Sequence, residues 1–386
     1  MTDRPTSPRP LSAVRADLDA LDADILALLS RRMDLVGEVA GYKRAHGVRI
    51  RDLERERTVL ADRKARATVL GLPAGEIESI WRLLMLASRD RQAALRAELP
   101  LDDEPKTVAV IGGRGGMGQL LCRLFDDLGH RVLVADLGSA LSADRAAASA
   151  DVVVVSVPIA ATEAVIDAVG PHVRADALLM DVTSIKAAPL AAMLRATEAS
   201  GASVVGTHPM FGPGVHSFQG QRVVVCAGRG DAWLAWVRRV FSARGLVITD
   251  ADPLQHDRAM ALVQVLTHFQ TQVLGLALAR LGGPLEASLR FTSPAYLLEL
   301  YVAARHFAQS PQLYGPIEML NPSAADVTEA FERAASELGE IIRTRSQARF
   351  EAVFEEVRAF FGAFTDEALE QSGFLIDRLV ELSAGR

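Results

Sequence analysis

"VIGGRGGMG", residues 110–118, follows a short apolar run and opens a helical pattern, so it reads as a glycine turn leaving a β-strand. Gly113, Gly115 and Gly118 fit the G-x-G-x-x-G spacing, and Asp136 closes the next apolar run, "RVLVAD" (131–136), eighteen residues after the last glycine. The spacing alone is weak. Strand, turn, helix and acid in this order make it a dinucleotide-binding fingerprint. The glycines let the backbone approach a pyrophosphate at a helix N-terminus, while Asp136 would accept hydrogen bonds from ribose hydroxyls and repel a 2′-phosphate. NAD is expected over NADP. Arg114 complicates that exclusion, because a guanidinium inside the turn could reach a phosphate.

Outward from the turn, short apolar runs recur at "TVAVIGG" (107–113), "DVVVVSVP" (151–158), "ALLMDV" (177–182), "SVVG" (203–206) and "RVVVCA" (222–227), with helical patterns in most of the gaps. This alternation predicts a doubly wound α/β domain of Rossmann type, a parallel sheet covered on both faces, over residues 107–252. Beyond it, residues 253–386 read as helices, several apolar all round, as in "AMALVQVLTHFQTQVLGLALARL"; such helices are buried in a bundle or at a subunit interface. Residues 1–98 read as an all-α arm of three helices, and "LPLDDEPK" (99–106) as a linker.

A chain of 386 residues exceeds one ordinary domain of about 150. The net charge of −6 gives no sign of a nucleic-acid partner. Two cysteines, Cys122 and Cys226, suggest no disulfide framework and fit a reducing, cytoplasmic setting. The start, "MTDRPTSPRP", lacks an apolar signal core, and the apolar runs are expected to be broken by Asp, Glu or Pro before the ~20 residues a membrane span needs. No membrane and no metal site are expected; His256 and His268 are too far apart for a local ligand pair.

In the arm, positions 11, 14, 18, 21, 25, 28, 32, 35, 39 and 42 alternate steps of three and four, and all but Arg32 are apolar. That is a coiled-coil-like seam on a helix of about 48 Å at ~1.5 Å per residue. "HGVR" (46–49) breaks it, "DLERERTVLADRKARATVL" (52–70) reads as a second helix, and a third follows "GLPAG" (71–75). Three helices with one so long can hardly cover their own apolar faces, which predicts a homodimer.

Two polar clusters end strands where ligands bind in open α/β sheets: "DVTSIK", with Ser184 and Lys186, and "GTHPMFGPG", with His208. A histidine between a strand and a Pro/Gly turn is a candidate proton acceptor, since its unperturbed titration lies near neutrality. Together with "VSVPIAATEAVI", "QHDRAMALVQVLTHF" and "SPAYLLEL…ARHFAQSPQLY", these stretches resemble the bifunctional chorismate mutase/prephenate dehydrogenases over nearly the whole chain. The resemblance implies that His208 accepts a hydrogen bond from the 4-hydroxyl of prephenate as hydride leaves for NAD and CO2 is lost, with Ser184 supporting that contact. It assigns Arg305 to a substrate carboxylate, a task suited to the guanidinium fork; without it, Arg305 would read as a solvated helix charge. Lys186 and His268 match family positions near the substrate or effector pocket, and feedback inhibition by tyrosine is implied. Relatives can carry another arginine eight residues before the match to Arg305, where this chain has Leu297.

The arm resembles the all-helical mutase of that family. Rearranging chorismate to prephenate is unimolecular, so the protein need only hold a dicarboxylate in its reactive shape and stabilise charge on the ether oxygen. Arg32 sits where the seam wants leucine, and a buried charge there calls for an anionic partner. Lys43, eleven residues on and about 20° round the helix, shares that face, whereas Arg15 points about 100° away; the resemblance has the matching arginine donated by the other subunit. Asp52, Arg55 and Glu56 are neighbours at i, i+3 and i+4, as are Ser88 and Gln92. Taken alone these read as surface salt bridges. The resemblance gives Arg55 to a carboxylate, Glu56 to the substrate hydroxyl, Gln92 and Lys43 to the ether oxygen, and places Asp52 and Ser88 in the lining. Arg31, off the seam, reads as a solvated charge. Two rival readings stay open: oxidation of arogenate, and an arm that only dimerises or senses an effector.

Overall fold

The computed structural model describes residues 9–46, 52–97, 104–215 and 217–383. The seam folds as one helix, α1 (Leu11–Ala45), and α2 (Leu53–Val69) and α3 (Ala74–Ala97) complete the arm, with α1 and α2 both packed on α3. Asp52 starts α2 by accepting a 2.9 Å hydrogen bond from the amide of Arg55, one of the donors a helix start leaves unpaired. Along the seam, Leu21, Ile25 and Leu28 remain 58, 53 and 64% exposed, so the described residues do not cover this apolar face. The "HGVR" break beyond His46 and the linker up to residue 103 lie outside the described residues.

The central domain runs β1 (Thr107–Ile111), α4 (Gly116–Asp126), β2 (Arg131–Ala135), α5 (Ala143–Ser149), β3 (Val152–Val155), α6 (Ile159–Val169), β4 (Leu178–Asp181), α7 (Ala187–Ala196), β5 (Ser203–Pro209), β6 (Arg222–Arg229), α8 (Asp231–Ala243) and β7 (Val247–Asp250). Its seven strands lie in the order β2-β1-β3-β4-β5-β6-β7. Successive residues of a strand face opposite sides. Val153 and Val155 therefore meet Ala146, Ile166 and Met193, while Val152 and Val154 share the layer of Leu124, Phe125, Trp236 and Phe241. Each such fully buried valine contributes roughly 1.5 to 3 kcal/mol. The expected parallel sheet holds for β1 to β5, but β6 runs antiparallel to β5, pairing His208 with Val224. A parallel connection needs a crossover of about a dozen residues, usually helical, and among the described residues no helix separates Pro209 from Arg222.

The last third is helical: α9 (Pro253–Met260), a π-helix (Ala261–Leu266), α10 (Thr267–Leu281), α11 (Leu285–Leu289), α12 (Pro294–Phe307), α13 (Pro311–Met319), α14 (Ala324–Thr344), α15 (Gln347–Phe361) and α16 (Phe364–Ser383). α9, α12 and α13 each begin at a pair, Asp252-Pro253, Ser293-Pro294 or Ser310-Pro311, in which the first side chain caps and the proline fills the first helical position. One expectation is corrected here. α9, the π-helix and α10 run on continuously from Pro253 to Leu281, 29 residues that are long and apolar enough by length and composition to cross a membrane. No Asp, Glu, Lys or Arg interrupts residues 259 to 279. The helix packs on α12, α13 and α14, carries buried His256, and leaves Leu262 and Val263 exposed on its other side.

Candidate functional site

The glycine turn at the carboxyl end of β1 is shaped for close approach. Gly112 has φ +83°, and a Cβ there would stand 2.3 Å from the Ser156 carbonyl oxygen; a Cβ on Gly118 would stand 2.2 Å from the Gly112 oxygen. The turn thus packs backbone on backbone with no room for a side chain at these glycines, and it leads into the N-terminus of α4, where amide groups suit a pyrophosphate. Asp136 ends β2 beside it, accepting hydrogen bonds from the amides of Arg114 at 2.8 Å and Leu137 at 2.7 Å. These residues fit NAD. Sequence reasoning missed Gly112, which the doublet Gly112-Gly113 could have signalled. The Arg114 side chain is exposed.

His208 stands near the carboxyl end of β5, on the same edge of the sheet, and is only 2% exposed. Its Nδ1 lies 2.9 Å from His256 Nε2, and His256 Nδ1 lies 2.8 Å from Asp257 Oδ1. On the other side, Gln264 Nε2 approaches His208 Nε2 at 3.3 Å. Burial, reinforced by nearby His256 and Lys186, pushes the His208 imidazole well below its ordinary pKa. It is therefore neutral at pH 7, with one nitrogen able to accept. Asp257 is also buried, which works against its charge. Hydrogen bonds from His256 and from the amides of Ala187 and Lys186 outweigh that and hold its carboxyl below the usual range.

Lys186 is fully buried, and its ammonium donates to Asp181 Oδ2 and, at 2.7 Å, to the Thr207 carbonyl. It braces β4 against β5 behind His208 and has no exposed surface to offer a substrate. Ser184, in the same turn, is half-buried and its hydroxyl has no hydrogen-bond partner among the described residues. One turn along the helix from Gln264, His268 is half-buried, 3.9 Å from Glu318 Oε1, and burial followed by the charge of His306 lowers its pKa to about 4. His306 stacks on Tyr314, with ring centroids 3.9 Å apart. Arg305 is exposed on α12; its charge reaches Tyr314, and no contact joins it to His208. Leu297 is buried on the same helix. Gln264, His256, Asp257 and Tyr314 were not picked out from the sequence, because only the folded helices bring the first three to His208 and the turn at Lys186, and Tyr314 to His268.

In the arm, the Arg32 guanidinium reaches across from α1 to α3, donating to Ser88 Oγ at 2.6 Å and to the Leu84 carbonyl at 3.4 Å. Burial and then repulsion from Arg63 lower its pKa, which for arginine leaves it charged. Ser88 and Gln92 are buried, and Gln92 Oε1 has no partner there. Glu56 accepts from Arg89 at 2.6 Å. Lys43 is half-buried on the Arg32 side of α1. Asp52 and Arg55 lie at the exposed start of α2, and Arg15 is exposed, so the chain by itself does not bring Arg15 to Arg32. Arg63, whose charge acts on Arg32, and Arg89, which pairs with Glu56, had no distinguishing signal in the sequence. Among the described residues no group of three or more His, Cys, Asp or Glu side chains could hold a metal.

Residues 14–93 match the family model of chorismate mutase type II, 119–250 that of the prephenate dehydrogenase nucleotide-binding domain, and 252–356 that of the prephenate dehydrogenase dimerization domain. The chain is 34% identical over 368 residues to the T-protein of Enterobacter agglomerans, covering 95% of this chain and 97% of that one. It is 32% identical to the T-protein of Haemophilus influenzae, covering 97% and 98%. In fold it resembles the crystal structure of Aquifex aeolicus prephenate dehydrogenase in complex with hydroxyphenyl propionate and NAD+, with a TM-score of 0.55 and 19% identity over 67% of this chain and 98% of that one.

Proposed function

We infer the division of labour along this molecule from one premise: the chain belongs to the family of bifunctional chorismate mutase/prephenate dehydrogenases. It catalyses two consecutive steps of tyrosine biosynthesis, converting chorismate to prephenate and then oxidatively decarboxylating prephenate to 4-hydroxyphenylpyruvate, with NAD as cofactor. We assign residues 1–98 to the mutase, 99–106 to the linker, 107–252 to NAD binding and 253–386 to substrate binding and dimerisation.

In the mutase half, Arg32 anchors a substrate carboxylate, and Ser88 orients the guanidinium. Lys43 and Gln92 face the ether oxygen, where negative charge grows as the bond breaks. Arg55 and Glu56 hold the second carboxylate and the hydroxyl, with Asp52 at the rim. Arg15 acts in the pocket of the other subunit, which the open apolar seam of α1 supports.

In the dehydrogenase half, Gly112, Gly113, Gly115 and Gly118 take the pyrophosphate, and Asp136 takes the ribose. NAD, when bound there, supplies the hydride acceptor. Neutral His208 accepts the hydrogen bond of the substrate's 4-hydroxyl and draws its proton away as hydride leaves C4. Loss of the ring carboxylate as CO2 then makes the ring aromatic. Ser184 supports the hydroxyl, Lys186 braces the strand that carries His208, and Arg305 and His268 serve the far end of the substrate. Tyrosine, which carries the product's 4-hydroxyphenyl ring, is the feedback inhibitor in this proposal. The protein acts as a cytoplasmic homodimer, in keeping with its two free cysteines.

The observation that carries the reading is a buried imidazole, hydrogen-bonded to His256, on the sheet edge that holds the glycine turn. The test is to add chorismate and NAD to the pure protein. NADH must appear without added prephenate; its absence, with prephenate alone still oxidised, would reduce the arm to a dimerisation or sensing module. Oxidation of arogenate in preference to prephenate would change the assigned substrate.

A further inference from the structure

We propose that His256 and Asp257 are positioning residues for hydride transfer, holding His208 in the single tautomer that turns an acceptor nitrogen toward the substrate. The proposal rests on the role given to His208 above. A carboxylate only accepts, so the His256 nitrogen 2.8 Å from Asp257 Oδ1 carries a proton. In a neutral His256 the other nitrogen is then a lone pair. It lies 2.9 Å from His208 Nδ1, which must therefore be the N–H of that ring. His208 Nε2 is left as the acceptor. The Gln264 side-chain amide stands 3.3 Å from this nitrogen.

The chain of three is anchored at its far end. Asp257 also accepts from the backbone amides of Lys186 at 2.7 Å and Ala187 at 3.0 Å, and its own carbonyl accepts from Asn321 at 2.8 Å. The residue that sets the proton on His256 thus also fixes the turn bearing Ser184. A buried Asp–His pair behind the acting histidine keeps the proton on the inner nitrogen, so no reorientation is needed when substrate arrives. Reversal of the chain, with a proton on His256 Nε2, would put the His208 proton outward and abolish acceptance.

The full-length protein labelled with ¹⁵N-histidine gives the direct reading, with H208N used to assign the resonance. The expected result is His208 protonated at Nδ1 and bare at Nε2 at pH 7.5. H256L is expected to lower kcat for prephenate oxidation by about a hundredfold, the low end for a positioned proton acceptor. H256Q, whose carbonyl can still accept the Nδ1 proton, should recover at least a tenth of the lost rate. KM for NAD and the mutase rate should stay put in both. D257N is expected to move the His208 proton to Nε2; if it fails to fold, the two His256 variants and the wild-type spectrum still decide. A wild-type His208 protonated at Nε2, or a wild-type kcat in H256L, overturns the proposal. If H208N itself oxidises prephenate normally, the reading of His208 fails instead.

Discussion

Arg32 on α1 and Ser88 on α3 are 56 residues apart in sequence and joined by a 2.6 Å hydrogen bond. The hydroxyl in turn donates to the Leu84 carbonyl, so the guanidinium is aimed by its own neighbour helix before any substrate arrives. Holding a charge ready in this way, rather than recruiting it, is what a unimolecular rearrangement needs.

Replacing Arg32 with Ala should therefore lower the mutase kcat/KM by about 10² to 10³, the usual loss for one preorganised donor. Prephenate oxidation by the same preparation should be unchanged. A mutase rate within twofold of wild type would show that the pocket lies elsewhere.

Replacing His208 with Asn should do the reverse, cutting prephenate oxidation by about 10² to 10⁴ while the mutase continues. Equal loss of both activities would contradict the separation of the two sites.

Gly118→Ala puts a methyl 2.2 Å from the Gly112 oxygen, so the turn must open or α4 must shift. NAD binding measured by fluorescence should weaken at least tenfold. Gly373→Ala, in α16 with nothing within 4 Å of the new methyl, should bind NAD normally and raise stability by up to ~1 kcal/mol.

Asp136→Ala should narrow the preference for NAD over NADP. Hydrogen bonds to a charged group contribute about 1.5 to 3 kcal/mol, which corresponds to roughly ten- to a hundredfold in the ratio of kcat/KM values. An unchanged ratio would move the discrimination to another residue, with Arg114 the first to examine.

His268 is held near a pKa of about 4, against 6.5 for the free side chain. The unfolded chain then binds a proton that the folded one refuses, so this histidine contributes stability fully present above about 6.5 and lost as pH falls toward 4. Thermal unfolding followed from pH 7.5 to 4.5 should decline less steeply in His268→Gln than in wild type. Parallel declines would exclude His268 as a source of the slope.

How much was legible depended on whether the signal was periodic. The seam of α1 gave both the long helix and the misplaced Arg32, since a lone charge on an apolar stripe stands out. The glycine turn and Asp136 were readable because their spacing is dictated by a ligand of fixed shape. β7 escaped notice because Val247–Asp250 is a four-residue edge strand, never fully buried, and so carries no apolar run. The reversal at β6 was recoverable from the missing helix after Pro209, though apolar content alone said nothing of direction. Nothing local marks His256 or Gln264 in the sequence; their significance lies in reaching His208 from 48 and 56 positions away.

The wide π turn at Ala261–Leu266 sets the phase of everything after it. Such a segment accommodates an extra residue in a helix, and excising one would rotate α10 by about 100° against α9. His256 would still meet His208, but His268 and Gln272 would swing off the face they share with Glu318 and Tyr314. Chain length within these six residues, rather than the identity of any one of them, keeps the first half of this helix on His208 and the second half on Glu318 and Tyr314. A scan by substitution would pass over such a feature, whereas a single-codon deletion would expose it.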